Sequence, residues 1–198
     1  MEYQKIDFGG KTKIEGRDRS PDYEQIFLSP PKDNTILDIG CNLGYYSIRA
    51  GLECAKKVVG IDNHQSFLDE AIKVKNELGL DNVTFECMDF EDYPPKNFDI
   101  ILCLNVLHHL PTPQKVENWL IKMERMATKM IVIEVLDCER GIEIVKNRKG
   151  NSFIHIGTDF VSRTFTKFDS LLVRNSEVTK GRKFIYAWKS NQWFLFNY

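Results

Sequence analysis

The chain has 198 residues, of which 42% are hydrophobic, with 27 Lys and Arg against 28 Asp and Glu for a net charge of -1. That length and apolar content suit one globular domain with a proper core and exclude a disordered chain. The balanced charge gives no global signal for a nucleic-acid partner. The five cysteines, Cys41, Cys54, Cys87, Cys103 and Cys138, form no C-x-x-C pair and are odd in number. They read as small packed hydrophobes in a reducing compartment, with no metal site. The N-terminus has no apolar signal core, and no apolar run approaches the ~18–20 residues of a membrane span. The expectation is a cytoplasmic protein without membrane association.

Residues 1–33 read as an N-terminal cap segment and residues 34–198 as the main domain. Gly9-Gly10 and Pro30-Pro31 punctuate the cap, and Tyr23–Leu28 has the pattern of a short helix. Arg17 and Arg19 sit in its charged stretch, Glu15–Asp22, and read as solvated surface charge, with closure over an anionic acceptor as the competing role. From Thr35 strand and helix alternate. Strands are expected at Thr35–Ile39, Lys57–Ile61, Val83–Cys87, Phe98–Leu104 and Met130–Val135. A helix starts near Tyr45 and fades by Ala55. The next, Gln65–Leu78, places Phe67, Ala71, Val74 and Leu78 at helical spacing, with Gly79 as its stop. A third begins at Pro113, with Val116, Leu120, Met123 and Met126 on one face.

Beyond Val135 the pattern weakens. Glu139–Lys149 is expected to be helical, and Gly150–Phe165 to be an excursion over the sheet. Leu171–Val178 and Lys183–Lys189 read as a hairpin with Gly181 at its turn. The aromatic tail, Asn191–Tyr198, is expected to pack on the domain. The fold class is therefore α/β: a single Rossmann-like domain with a mostly parallel sheet, helices on both faces and a C-terminal antiparallel hairpin.

Such sheets bind ligands at the carboxyl ends of their strands. The polar residues there are Asp38, Asp62, Asp89, Asn105 and Glu134. The first strand runs into Asp38-Ile39-Gly40-Cys41-Asn42-Leu43-Gly44-Tyr45. Glycine gives positive φ and close backbone approach, and Asn is the side chain that best tolerates the same region. A pyrophosphate-gripping turn wants a third Gly where Tyr45 stands. Asp38 would repel a pyrophosphate and favour a cation. S-adenosylmethionine, with a sulfonium, an ammonium and no phosphate, meets both conditions. Asp62, followed by Asn63, is placed for the ribose hydroxyls, and Asp89 with the Phe90 amide for the adenine. For Asp89 a loop-capping role has equal weight. Asn105 is placed for the methionine end. His108 and His109, expected to point apart, are candidates to take a proton from a methyl acceptor. Glu134 follows, with structural pairing to an Arg as its alternative.

In order and spacing, Asp38 to Gly44, Asp62, Asp89-Phe90 and Asn105-Val106-Leu107-His108-His109-Leu110 resemble the successive motifs of class I S-adenosylmethionine-dependent methyltransferases, over roughly Thr35–Val135. The resemblance implies a seven-stranded sheet whose last strand is antiparallel, and S-adenosylmethionine as cofactor. It departs from the family at Asn42, where many members have Gly. The wording of the turn is similar to the tRNA wobble-uridine carboxymethyl transferases and to sugar and natural-product methyltransferases. The leading expectation is methyl transfer to a hydroxyl or amine of a small molecule or saccharide. An RNA acceptor stands second, with short basic tracts at Lys146–Lys149 and Thr179–Lys183, and a carboxylated cofactor is left open with it. An NAD-dependent oxidoreductase and a non-catalytic protein of the same fold complete the alternatives.

Overall fold

A computed structural model describes residues 4–27 and 30–188, which divide between Pro94 and Pro95 into two compact units. The tail, with its expected packing, lies outside the described residues, as does Leu28 at the end of the expected first helix.

In the first unit, β1 (Thr35–Ile39), β2 (Lys57–Asp62) and β3 (Val83–Cys87) pair in parallel in the order β3-β2-β1. β1 and β2 are apolar runs buried along almost their whole length, as a two-face-covered sheet requires. α2 (Tyr45–Leu52) packs onto them at unusually short range. A Cβ on Gly60 of β2 would stand 2.7 Å from the Phe85 ring and 2.9 Å from Ser47 Oγ, and one on Gly44 2.6 Å from the same ring. On Gly51 it would meet Val83 at 2.3 Å. The close helix–strand approach associated with a third turn glycine is thus supplied from the helix and the neighbouring strand. α3 (Gln65–Glu77) buries Leu68, Ala71 and Val74. Ala71 and Val74 face inward as expected, but Phe67 lies half-exposed against the His64 ring and Leu68 takes the buried position in its place. Gly79 ends the helix at φ +66, with Gly79 N–H on Asn76 O and Leu80 N–H on Lys75 O, the paired bonds of a Schellman stop.

The cap segment belongs to this unit. Ile6 and Ile14 exchange both backbone hydrogen bonds, and Ile6 is fully buried. α1 spans Ser20–Ile26, earlier than expected because Pro21 suits the first helical turn. Arg19 is buried and bridged to buried Asp22 at 3.2 Å, which corrects its assignment to solvated surface; Arg17 is exposed.

In the second unit, β4 (Phe98–Cys103) and β5 (Ala127–Leu136) are parallel. α4 (Pro113–Met126) joins them, capped by Thr112, whose hydroxyl accepts from Lys115 N–H. β9 (Arg182–Trp188) runs antiparallel to β5, and β8 (Ser170–Asn175) antiparallel to β9, with Gly181 at φ +80. These are the expected terminal hairpin, and β1–β5, β8 and β9 supply the expected seven strands. The segment before them departs from the expectation. Residues 142–146 form a strand, β6 (Ile142–Lys146), not a helix, paired antiparallel with β7 (Ser152–Ile156). The supposed excursion is β7 followed by α5 (Thr158–Thr164). The β-branched Ile142, Ile144 and Val145 are strand residues, and Asn147 and Gly150 are turn residues. Asn147 Oδ1 accepts from Lys149 and Asn151 N–H, closing the turn.

Buried Glu124 of α4 accepts from the Thr166, Lys167 and Phe168 amides at 2.6, 2.5 and 3.3 Å and from Thr166 Oγ1 at 3.2 Å, anchoring the connection into β8. Cys41 and Cys103 are packed as expected, whereas Cys54 and Cys87 are exposed. Among the described residues no helix is long and apolar enough to cross a membrane.

Gly60→Ala overpacks the contact with Phe85 and should cost about 1–3 kcal/mol in urea unfolding, part of it recovered by adding Phe85→Leu. Glu124→Ala strands buried amides, and the expected loss is roughly 2–3 kcal/mol by the same measurement.

Candidate functional site

The first unit builds a turn around two carboxylates. Gly40, Asn42 and Gly44 take φ values of +69, +53 and +77, so every second residue of the turn is left-handed, as expected for this Gly-x-Asn-x-Gly. Gly40 and Cys41 N–H donate to Ile61 O. Asn42 N–H donates to Asp62 Oδ2 at 2.9 Å, while His64 N–H donates to Asp62 Oδ1 at 2.9 Å with the exposed His64 Nδ1 at 3.2 Å. Asp62 therefore ties the turn to the start of α3. Asp38 is buried beneath the turn, where its Oδ2 accepts from Ser47 Oγ at 2.6 Å. Burial, and then the nearby Asp62 charge, push its pKa up to about 6, against the hydrogen bond from Ser47.

The other expected residues of this unit are placed as follows. Tyr45 opens α2; its amide donates to Gln4 Oε1 at 3.4 Å, its hydroxyl lies 3.0 Å from Ser20 Oγ, and its ring stacks on Phe8. The side chain is thus bound into the cap segment. Asn63 is exposed, Phe90 is buried, and Asp89 Oδ1 accepts from Glu91 N–H at 2.8 Å, which gives it the loop-capping role. Asn42 Oδ1 is buried with no hydrogen-bond partner. The stretches Asp38–Tyr45, Asp62–Gln65 and Asp89–Asp92 carry acidic side chains and no Lys or Arg. This donor set suits an adenosine ligand that is cationic and free of phosphate, and does not suit a pyrophosphate.

The second unit holds a buried polar chain. Arg182, at the start of β9, places Nη1 3.5 Å from Glu134 Oε1 and Nη2 3.4 Å from His108 Nε2. Glu134 and His108 are 1% and 2% exposed. Burial, helped by His109, Arg182 and His155, lowers the His108 pKa to about 3, so its ring is neutral. Its Nδ1 is buried with no hydrogen-bond partner. The expectation that the two histidines point apart is corrected: on the single turn Leu107–His109 their ring centroids are 3.9 Å apart, and both rings meet Phe153 of β7, at 5.8 and 5.7 Å. The His109 pKa is also lowered, by burial and then by Arg182. Asn105 adopts φ +63, and its Oδ1 is buried without a partner. Glu134 lies within β5, which continues to Leu136.

Several of these residues escaped the sequence. Gly60 carried a signal, since a glycine inside a strand pattern marks close approach. Arg182 had been counted only as part of a basic hairpin. Phe153 and His155 lay in the segment taken as an excursion, and His155 Nδ1 is 3.0 Å from Asp137 O.

A family profile described as a methyltransferase domain matches residues 31–173. A tRNA U34 carboxymethyltransferase of Campylobacter fetus is 30% identical over 166 residues, 77% of this chain and 58% of that protein. Its counterpart from Shewanella loihica is 38% identical over 91 residues, 45% of this chain and 28% of that protein. The chain thus spans well under two thirds of these relatives. Among solved structures, 1,6-didemethyltoxoflavin-N1-methyltransferase of Burkholderia thailandensis, with S-adenosylhomocysteine bound, superposes with a TM-score of 0.70 at 16% identity, over 86% of this chain and 77% of that one. Magnesium protoporphyrin IX methyltransferase of Synechocystis, with S-adenosylmethionine bound, gives 0.65 at 16% identity, over 85% and 78%. These likenesses establish the shared fold.

The raised pKa of Asp38 makes the first unit's stability pH-dependent. Its folded value of about 6 exceeds the ordinary 3.8, so its contribution favours the fold below pH 4 and is lost as pH rises through 6. Asp38→Asn cannot ionise. Its stability relative to the parent should therefore climb between pH 4 and pH 7, by up to about 3 kcal/mol in urea unfolding at the two pH values. A difference that stays flat would show the carboxyl to be unperturbed.

Proposed function

We propose, from the premise that the chain belongs to the class I S-adenosylmethionine-dependent methyltransferase family, that it methylates a hydroxyl or amine of a small molecule or saccharide. The observation that supports this cofactor is the Asp62-anchored turn, flanked by Asp38 and Asp62 and without Lys or Arg. A carboxylate offers about four lone-pair sites. Asp62 Oδ2 keeps one beside the Asn42 amide, and Oδ1 gains one when the exposed His64 ring moves aside, which suits two ribose hydroxyls. Buried Asn42 Oδ1 and the backbone from Gly40 to Gly44 complete the cradle, with Asp89, Phe90 and Asn63 on the adenosine side and Tyr45 steadying the helix start. Asn105 is assigned to the methionine end. A positive ligand favours the ionised form of Asp38. When bound, S-adenosylmethionine supplies an electrophilic methyl; the chain's task is alignment, exclusion of water and handling of the acceptor's proton.

A small acceptor is supported by the buried Glu134–Arg182–His108 chain with His109 and Phe153 beside it. These residues are suited to reading one compact polar group against aromatic rings. A second reading, an RNA acceptor, is favoured by the names of the sequence relatives and by the basic turn carrying Lys146, Arg148 and Lys149. On either reading the cap segment, residues 1–33, acts with the cofactor turn through Gln4 and Ser20. The five free cysteines suit a cytoplasmic setting.

Calorimetry with S-adenosylhomocysteine and with NAD tests the cofactor: binding of the first alone is expected. Asp62→Asn should weaken that binding roughly 10- to 100-fold, the worth of a charged hydrogen bond. Tight NAD binding without S-adenosylhomocysteine binding would overturn the proposal. Methyl release onto transfer RNA, with none onto small hydroxyl or amine acceptors, would choose the second reading.

A further inference from the structure

Two histidines of the second unit have their ring protons dictated by their neighbours. Arg182 can only donate hydrogen bonds. With its Nη2 3.4 Å from His108 Nε2, that nitrogen must be the acceptor, and the neutral ring carries its proton on Nδ1. That Nδ1 is buried and has no partner, on a residue only 2% exposed. A buried donor left unpaired is costly and calls for a ligand atom with a lone pair. The second ring is His155. Its Nδ1 lies 3.0 Å from the Asp137 carbonyl, which can only accept, so Nδ1 carries a proton and, in the neutral ring, Nε2 holds the lone pair. His155 follows Phe153 by two residues on β7, so the two share one face of the strand, about 7 Å apart along it. Phe153 is the residue that meets both His108 and His109 on that face. The cluster thus offers one fixed donor and one fixed acceptor beside an aromatic wall.

We propose that His108 Nδ1–H and His155 Nε2 read the methyl acceptor together, as a removable N–H or O–H lying beside a lone-pair oxygen or nitrogen, and that Arg182 is the positioning residue that holds His108 as the donor. This rests on the methyltransferase reading and narrows its acceptor to lactams, hydroxy-ketones and vicinal diols rather than isolated alcohols or amines. His108 then orients and does not deprotonate. The acceptor's proton passes to His155 Nε2 as the acceptor atom bonds the methyl carbon and the sulfonium carbon–sulfur bond breaks to leave a neutral thioether. The low basicity of buried His108 agrees with this division.

Nitrogen-15 histidine spectra of the whole protein with S-adenosylhomocysteine test the proposal without a known substrate. His108→Asn and His155→Asn assign the signals by their loss. Both rings should show a protonated Nδ1 and an unprotonated Nε2; an Nε2-protonated or cationic His108 overturns the proposal. The double variant Arg182→Met with Glu134→Gln avoids leaving a buried charge. It should let His108 populate the Nε2–H form, and an unchanged tautomer removes Arg182 from the account. Titration with 2-pyridone, which donates and accepts, should shift the ring nitrogens of both histidines, whereas N-methyl-2-pyridone, which only accepts, should shift those of His108 alone. Equal responses, or none, refute the paired recognition. Calorimetry in the same samples separates the two levels: S-adenosylhomocysteine binding with the wrong tautomers refutes this inference alone, and no binding refutes the methyltransferase reading itself.

Discussion

One carboxylate organises the first unit of this protein. Asp62 ends β2 and accepts the amides of Asn42 and His64, so a strand end, a left-handed turn and the start of α3 are fixed at one point. Charge-assisted bonds of this kind are worth roughly twice a neutral one. Backbone bonds from Gly40 and Cys41 to Ile61 O and from Gly44 to Cys41 O hold the rest of the turn, and α2 begins without a side-chain cap. The remaining constraints follow. The helix can start where it does only because Gly44, Gly51 and Gly60 let it lie against Phe85 and Val83. Asp38 can stay buried only because Ser47, on the first turn of that helix, donates to it.

The second unit solves a different problem, burying charge. Glu134 and Arg182 lie on neighbouring antiparallel strands, and their pairing offsets a desolvation cost that neither could bear alone. Such a pair is poor value as a source of stability. Its use here is orientation, because a guanidinium held on one side by a carboxylate presents a fixed donor on the other. His108 receives that donor. The hairpin β6–β7 brings Phe153 to both His108 and His109, so this cluster is assembled partly from a segment outside the regular strand–helix alternation.

Legibility from sequence tracked how local the determining physics was. β1 and β3 were placed to the residue because compact apolar runs are bounded by polar or turn residues. Gly79, Pro113 and Gly181 marked a helix stop, a helix start and a turn through chemistry acting within a few residues. The turn at Asn42 was readable for the same reason: left-handed φ is a local demand. Residues 139–149, expected to be helical, hold a strand whose apolar residues are Ile142, Ile144 and Val145. The pairing that decides between helix and strand, with β7, is non-local. Arg182, His155 and the burial of Arg19 were invisible on the same ground. The first two depend on neighbours brought in by the fold, from 74 residues away in the contact between Arg182 and His108, and the third on packing that the chain's local pattern does not show. Asp89 was undecidable from sequence, since an Asp that caps a loop and an Asp that faces a ligand look alike.

Asp62 preforms the turn at Asn42 before any ligand arrives. Amide hydrogen exchange at Asn42 and His64 in the ligand-free protein measures it directly. Slow exchange at both amides, slowed further by S-adenosylhomocysteine and accelerated at both in Asp62→Asn, is the predicted result. Fast exchange at both in the ligand-free protein, with protection appearing only on binding, would show that the ligand orders the turn and that Asp62 does not.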